Sequence, residues 1–442
     1  MNLPDDAPLP VPLADEDLAR GEEMYALATE LFPICRSLTG DGTRRTLRRL
    51  AGLLPGMKLH EVPSGTKAFD WTVPDEWNIE AAYIETQDGR RIVDFADNNL
   101  HVLGYSEPVD AWLSREELDA HLYSLPDIPD AIPYVTSYYK RRWGFCLTER
   151  QRRQLEPGKH RAVIRSRLAP GSLTYGELIL PGERSDEVLL STYVCHPSMA
   201  NNELSGPVVT TALAQWLAAL PNRRLTYRIV FVPETIGSIV YLSRHFEEMN
   251  RRCVAGFVVT CVGDDRAYSL LRSPSGETLA DRVAQHVLKH RVGAFTEYDF
   301  LERGSDERQY CAPGIDLPVV SLMRSKYGTF SEYHTSADDL SLISPRGLAG
   351  GYRALRDCLL ALEHEGRYRA TMLCEPQLGK RGLYPTVSRV NSARTARDLA
   401  NVLVFADGNR DLVQLAERIG RPVFELIPIV EQLMQHGLLE RA

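Results

Sequence analysis

From residue 172 the chain alternates short apolar runs with longer amphipathic ones, and few folds accommodate that pattern. The runs SLTYGELILPG (172–182), EVLLSTYVCH (187–196), TYRIVFVPE (226–234), VAGFVVTCV (254–262) and LPVVSLMRS (317–325) are rich in β-branched, leucine and aromatic residues. Between them stand GPVVTTALAQWLAAL (206–220), SIVYLSRHFEEM (238–249) and ETLADRVAQHVLKH (277–290). A long closing helix lies within LISPRGLAGGYRALRDCLLALEHE (342–365). A strand that is apolar throughout has to be covered on both faces, and intervening helices supply the cover. The sequence therefore predicts the α/β class: an α/β/α sandwich around a parallel or mixed sheet. Functional sites in such sheets lie beyond the carboxyl ends of the strands.

The rest of the chain has a different texture. Two helical stretches, EEMYALATELFPICRSL (22–38) and GTRRTLRRLAGLL (42–54), precede the alternation, separated by a polar loop. Residues 62–165 carry short β-branched and aromatic runs broken by Pro, Gly and Asp, with a hairpin turn at TQDGRR (86–91), and read as an inserted, mainly β domain. The sandwich domain is then discontinuous, 18–61 with 166–368. Residues 369–442 form a third unit, in which RDLVQLAERIG and PVFELIPIVEQLMQHG make a helix-turn-helix with Gly420 at its corner and LLERA starts a wing. Its second helix offers Glu425 and Glu431 but no Arg, Lys or Asn, so a packing or dimerisation role is expected ahead of DNA binding.

Charge and cysteine usage narrow the setting. A net charge of −8 and a pI near 5.8 argue against non-specific nucleic-acid binding. No apolar run approaches the ~20 residues of a membrane span, and the acidic, proline-rich N-terminus reads as a disordered or draped arm, with no signal-peptide pattern. Eight scattered cysteines without a CxxC pair suggest a reducing cytoplasm with buried thiols. The expected partner is a small-molecule or short-peptide substrate, with a homo-oligomer as an open alternative.

Polar residues interrupt the apolar pattern at three strand ends. The first, STYVCHPSMANNELSG, offers His196 and Glu203 as metal ligands; alternatively His196 bonds backbone and Glu203 caps the next helix. The second, IVFVPETIGS, ends in Glu234, either a desolvated general base or a helix cap. The third, GTFSEYHTSADDL, carries His334 with Tyr327 and Tyr333 nearby. The charged loop LERGSDERQYCAPG puts Asp306, Glu307, Arg308 and Tyr310 either along a pocket or on a solvated surface, and Arg308 would suit a carboxylate. Asp264 and Asp265 follow another strand as an acidic turn or a further ligand.

In this order the segments resemble the zinc aminopeptidase superfamily of leucyl-type bacterial aminopeptidases and glutamate carboxypeptidases. The resemblance implies that His196 is the first metal ligand, Glu234 the general base and His334 the last ligand. It also places Asn202 where that superfamily has a bridging Asp, Thr235 where a second Glu binds metal, and Thr260 near the third carboxylate, with Asp264 four residues on. CHPSMANNELSGP, FVPETIGS, GSDERQY and FSEYHTSADDL are similar, more closely, to a bacterial family of aminopeptidase-like proteins. That family has an inserted β domain and a C-terminal winged helix, and some of its members are associated with polysaccharide biosynthesis.

With the bridging carboxylate absent, the resemblance implies one zinc ion more readily than two. The expectation is a zinc-dependent hydrolase of a peptide or amide bond. His196, Glu203 and His334 would hold the metal, with Asp264 as an alternative carboxylate, and Glu234 would serve as base. Asp306, Glu307, Arg308, Tyr310, Tyr327 and Tyr333 would meet substrate, and Tyr327, Tyr333 or Arg308 would stabilise the oxyanion. The alternative is a peptidase-fold binding or scaffold protein without catalysis, accessory to a biosynthetic pathway.

Overall fold

A computed structural model describes residues 11–383 and 390–442. The first ten residues of the expected N-terminal arm, and residues 384–389 of the expected third unit, lie outside the described residues. The described chain divides into two compact units, Leu13–Ala280 with Thr296–Arg353, and Asp281–Phe295 with Ala354–Ala442, Val11 and Pro12.

The larger unit is built on an eight-stranded mixed sheet in the order Lys58–Pro63, Ser172–Leu180, Thr226–Val232, Glu187–Tyr193, Cys253–Val258, Val319–Met323, Ser269–Leu271, Thr296–Tyr298. The four strands from Thr226–Val232 to Val319–Met323 run parallel. Every residue of Glu187–Tyr193 and Thr226–Val232 is buried, which accounts for the absence of polar alternation in their sequences. Antiparallel strands finish both sides, among them Ser172–Leu180 on Thr226–Val232 and Ser269–Leu271 on Val319–Met323. The three-residue strands Ser269–Leu271 and Thr296–Tyr298 are too short to leave a periodic signal and were not expected from the sequence.

Chain order and spatial order diverge at Glu187–Tyr193. The chain leaves it, returns as Thr226–Val232 on one side, and then crosses to Cys253–Val258 on the other. Loops leaving these strand ends part in opposite directions and open a crevice there. The helix Ser205–Ala219 packs tightly beside it: a Cβ on Gly206 would stand 2.3 Å from the Val259 carbonyl oxygen and 2.4 Å from Thr192 Oγ1. Only glycine allows that approach.

The insertion carries a four-stranded antiparallel sheet in the order Arg91–Asp94, Glu76–Glu85, Lys159–Ala169, Val109–Ser114. The expected hairpin joins its first two strands. The sheet runs to Ala169, past the 165 boundary expected from the sequence, while Val62 and Pro63 belong to the large sheet through pairing with Ser172–Leu180. One loop of the insertion is stitched to the loop of His334. Pro133 bridges Thr335, Tyr134 N–H donates to the His334 carbonyl at 2.9 Å, and Ile132 N–H donates to Ser336 Oγ at 2.9 Å.

The smaller unit holds a three-stranded sheet, Asp407–Asp411, Arg367–Ala370, Leu439–Arg441, and the helices Val390–Phe405, Leu412–Ile419 and Val423–Gln435. Gly420 takes the left-handed conformation (φ 74°) that ends Leu412–Ile419 and turns the chain. Val423, Leu426, Val430 and Leu433 form the buried stripe of the last helix, with Glu425 and Glu431 exposed. His286 anchors that helix: its Nε2 accepts the Val423 N–H at 2.9 Å, and its Nδ1 bonds Glu417.

Candidate active site

The crevice beyond the strand ends is a cavity of about 340 Å³. His196, Glu234, Thr235, Arg308 and His334 line it, together with an aromatic wall of Trp71, Tyr134, Tyr138 and Tyr139 from the insertion.

His196 stands three residues past Glu187–Tyr193, buried, and its ring is held from behind. Nδ1 lies 2.9 Å from Glu203 Oε2, while Glu203 Oε1 accepts the Cys195 N–H at 2.7 Å. Arg36, itself fully buried, comes within 3.4 Å of Glu203 Oε1 through Nε and donates to the His196 carbonyl at 2.9 Å. With Nδ1 committed, Nε2 faces the cavity, 3.5 Å from Glu234 Oε2. Burial works to lower the basicity of His196, but Cys195 and Glu203 outweigh it and hold the imidazole well above its ordinary value.

Glu203 occupies one turn of π-helix, Ala200–Leu204, a local widening that frequently marks functional sites. Asp338 pins this turn by accepting N–H bonds from Ala200 (3.1 Å), Asn201 (2.6 Å) and Asn202 (2.9 Å). The loop that presents His334 thus also fixes the loop that presents His196.

Glu234 is aimed by a γ-turn. Thr235 has φ 65° and ψ −77°, and Ile236 N–H donates to the Glu234 carbonyl at 2.8 Å. A β-branched residue there is strained. Asp306, accepting the Thr235 N–H at 2.7 Å, and Arg308 Nη2, donating to Thr235 Oγ1 at 2.7 Å, hold it in place. Ser305 Oγ donates to Glu234 Oε1 at 2.9 Å. Burial raises the pKa of Glu234, opposed by the charge of His196, by the Ser305 bond and by Arg308.

His334 stacks on Tyr333 (centroids 3.9 Å apart) and meets Tyr134 edge-on at 5.2 Å. Burial, followed by the charge of His196, pushes its pKa down to about 3, so this second imidazole is neutral. Its centroid is 5.6 Å from that of His196. Two imidazoles that share one zinc ion at 2.0–2.1 Å per bond have centroids about 5 Å apart. His196, His334 and the carboxylate of Glu234 face one cavity with the nitrogen and oxygen donors that zinc takes. Cys195, His196 and Glu203 bring ligand-type atoms within 4.8 Å of one another, with the Cys195 N–H and Arg36 on Glu203 Oε1.

Several residues expected to carry chemistry are turned inward. Both Glu203 oxygens are engaged within the protein, Oε2 on His196 Nδ1 and Oε1 on the Cys195 N–H and Arg36. Asp306 is fully buried, accepts from Thr235 N–H and Ser238 Oγ at the start of Ile236–Arg252, and is pushed up to about 7 by burial and then Glu234. Glu307 accepts from the N–H groups of Gly304 and Ser305 and from Tyr327 O–H, so neither Glu307 nor Tyr327 reaches the cavity. Tyr310 bonds Ser191 beneath the sheet end, and Tyr333 backs His334. Asp264 accepts from Asn201 Nδ2, Ser325 N–H and Ser325 Oγ. Of that charged loop, Arg308 meets the cavity.

Neutral groups occupy the places where the resemblance puts carboxylate ligands. Asn202 Nδ2 donates to Tyr193 Oη at 2.7 Å, and Tyr193 Oη is 2.6 Å from Thr260 Oγ1. Sequence reasoning missed Arg36 and Asp338, while the aromatic, proline-rich insertion was expected to shape the pocket and supplies its aromatic wall. The density of Tyr, Trp and Pro in 123–145 was the visible signal for that wall.

A family model for a domain of unknown function, DUF4910, matches residues 25–365, and a winged helix-turn-helix model matches 366–441. A Clostridium acetobutylicum protein, named provisionally for polysaccharide biosynthesis and for an aminopeptidase-like domain, is 45% identical over 403 residues, covering 90% of this chain and 92% of its own. A crystal structure from the same organism, provisionally called a peptidase, superposes with a TM-score of 0.91 at 42% identity, covering 97% of this chain and 98% of its own. The zinc aminopeptidase of Bacillus subtilis shares the fold at a TM-score of 0.56 and 12% identity, over 77% of this chain and 94% of its own. The chain belongs to the DUF4910 family, an aminopeptidase-like α/β fold carrying a C-terminal winged helix.

Proposed function

We propose that the protein is a metal-dependent hydrolase of an amide or peptide bond, with His196 and His334 as the nitrogen ligands of one zinc ion and Glu234 as general base. The observation that carries this reading is the convergence of His196 Nε2, Glu234 and His334 on one cavity at the switch point of the sheet. Zinc there would supply Lewis acidity toward the amide carbonyl and toward water. Glu234, raised by burial, accepts the proton of the attacking water and returns it to the leaving amine, so one water is consumed and an acid and an amine are released. Glu203, with Arg36 behind it, orients His196 and does not ligate. Tyr134 and Tyr138, their hydroxyls 2.7 Å apart, and Arg308 stand on the wall from which an oxyanion would be met.

The substrate on this reading is a small amide or short peptide. Cytoplasmic residence is supported by eight cysteines that are all unpaired; among the described residues no helix is long and apolar enough to cross a membrane. The test is Glu234→Gln with zinc content measured beside turnover of an amide panel. Metal retained and turnover lost is the expected result; unchanged turnover removes Glu234 as base.

A second reading, a non-catalytic scaffold, is favoured by the neutral Asn202, Thr235 and Thr260. Zinc bound by the wild-type chain with no amide turned over would support it.

A further inference from the structure

The cavity wall carries one guanidinium with a donor to spare. Glu203 is matched by Arg36 behind His196, and Ser305 Oγ donates to Glu234 Oε1 at 2.9 Å. Arg308 forms no salt bridge among the described residues. Its Nε donates to the Ser305 carbonyl at 3.1 Å and its Nη2 to Thr235 Oγ1 at 2.7 Å, which leaves Nη1 free. The two bonds hold the guanidinium in a fixed orientation at the cavity wall, so little ordering is needed when an anion arrives.

The aromatic wall shares this cavity. Trp71 and Tyr139 meet edge-on with centroids 5.7 Å apart, and they stay 38% and 56% exposed although their faces are large and apolar. Trp71 sits on a two-stranded hairpin, Lys67–Ala68 with Trp71–Thr72, and Tyr139 Oη donates to the Thr72 carbonyl at 3.4 Å. Exposed, mutually braced aromatic side chains over a small cavity offer a surface on which a flat or ring-shaped group can lie.

We propose that this cavity selects small amides bearing a carboxylate, with the carboxylate on Arg308 and a ring on the Trp71–Tyr139 shelf. The amide part rests on the hydrolase reading above; the anion preference stands on binding alone. Two sources share this chemistry, N-acylated aromatic amino acids and N-acylated acidic sugars.

The test titrates the purified full-length protein calorimetrically with N-acetylphenylalanine, its neutral carboxamide, cationic phenylalaninamide and N-acetylneuraminate, and product analysis of the same samples reports hydrolysis separately. At least one acid is expected to bind about tenfold tighter than the neutral carboxamide; the tighter acid identifies the source. In Arg308→Gln the ratio of acid to carboxamide affinity should fall to near one. Tighter binding of phenylalaninamide, an unchanged ratio in R308Q, or no binding of either acid overturns the proposal. An acid preference without product from any probe leaves it standing and removes only the hydrolase reading.

Discussion

Nδ1 of His196 and Oε2 of Glu203 lie 2.9 Å apart, both buried, and this contact decides which face of the imidazole meets the cavity. A carboxylate on Nδ1 keeps the proton there and frees Nε2 as a donor toward a metal. Glu203→Gln keeps the shape but can turn an amide N–H toward Nδ1, reversing the tautomer. Zinc affinity, measured by competition with a chelator, should fall by about 10–100-fold with the fold retained. Unaltered affinity would show that the ring is oriented without Glu203.

Arg36 is the buried counter-charge of Glu203. Arg36→Met leaves a buried carboxylate without its cation, a change that costs about 3–5 kcal/mol. Denaturant unfolding of the larger unit should report a loss of that order, and R36M/E203M should recover part of it. A loss below about 1 kcal/mol would mean the pair is worth no more than a surface one.

Asp338 receives three N–H groups of the turn that carries Glu203. Asp338→Asn can accept through one oxygen, but its amide group would confront the N–H of Asn202. A loss of about 1–3 kcal/mol follows from the unsatisfied donor, with faster amide exchange expected at residues 200–202. Exchange unchanged there would contradict the pinning role.

Glu365 sets a pH dependence in the smaller unit. It caps Leu412–Ile419 through the N–H groups of Leu412 (2.9 Å) and Val413 (3.3 Å). Burial, and then Asp411, push it up to about 7. Because the folded pKa exceeds the unfolded one, the protonated form stabilises the fold below the ordinary carboxylate range, and this contribution is lost as pH rises through about 7. Relative to Glu365→Gln, the wild type should lose up to about 3 kcal/mol between pH 5 and pH 8.5. A stability difference that is flat with pH would contradict the assignment.

The sheet and the three strand-end residues were legible because buried strands leave continuous apolar runs and His196, Glu234 and His334 interrupt them. The roles of Asp306, Glu307 and Tyr327 were not. A charged loop reads alike whether its carboxylates face solvent or cap a helix, and here they bind backbone N–H groups that no local pattern reveals. Tyr134 and Tyr138 reach the site through a bridge between Pro133 and Thr335, a pairing across the chain that sequence periodicity does not encode. Glu203 was legible as a functional position, but its contacts with His196 Nδ1, the Cys195 N–H and Arg36 were not, since a carboxylate in that loop reads alike whichever atoms it faces.

The central claim is that His196 and His334 share one ion. Elemental analysis of the wild type, His196→Ala and His334→Ala, each dialysed against limiting zinc, tests it most directly. The account predicts about one equivalent of zinc in the wild type and a loss of most of it in both variants. Less than a few tenths of an equivalent in the wild type, with no gain on adding zinc, would contradict it.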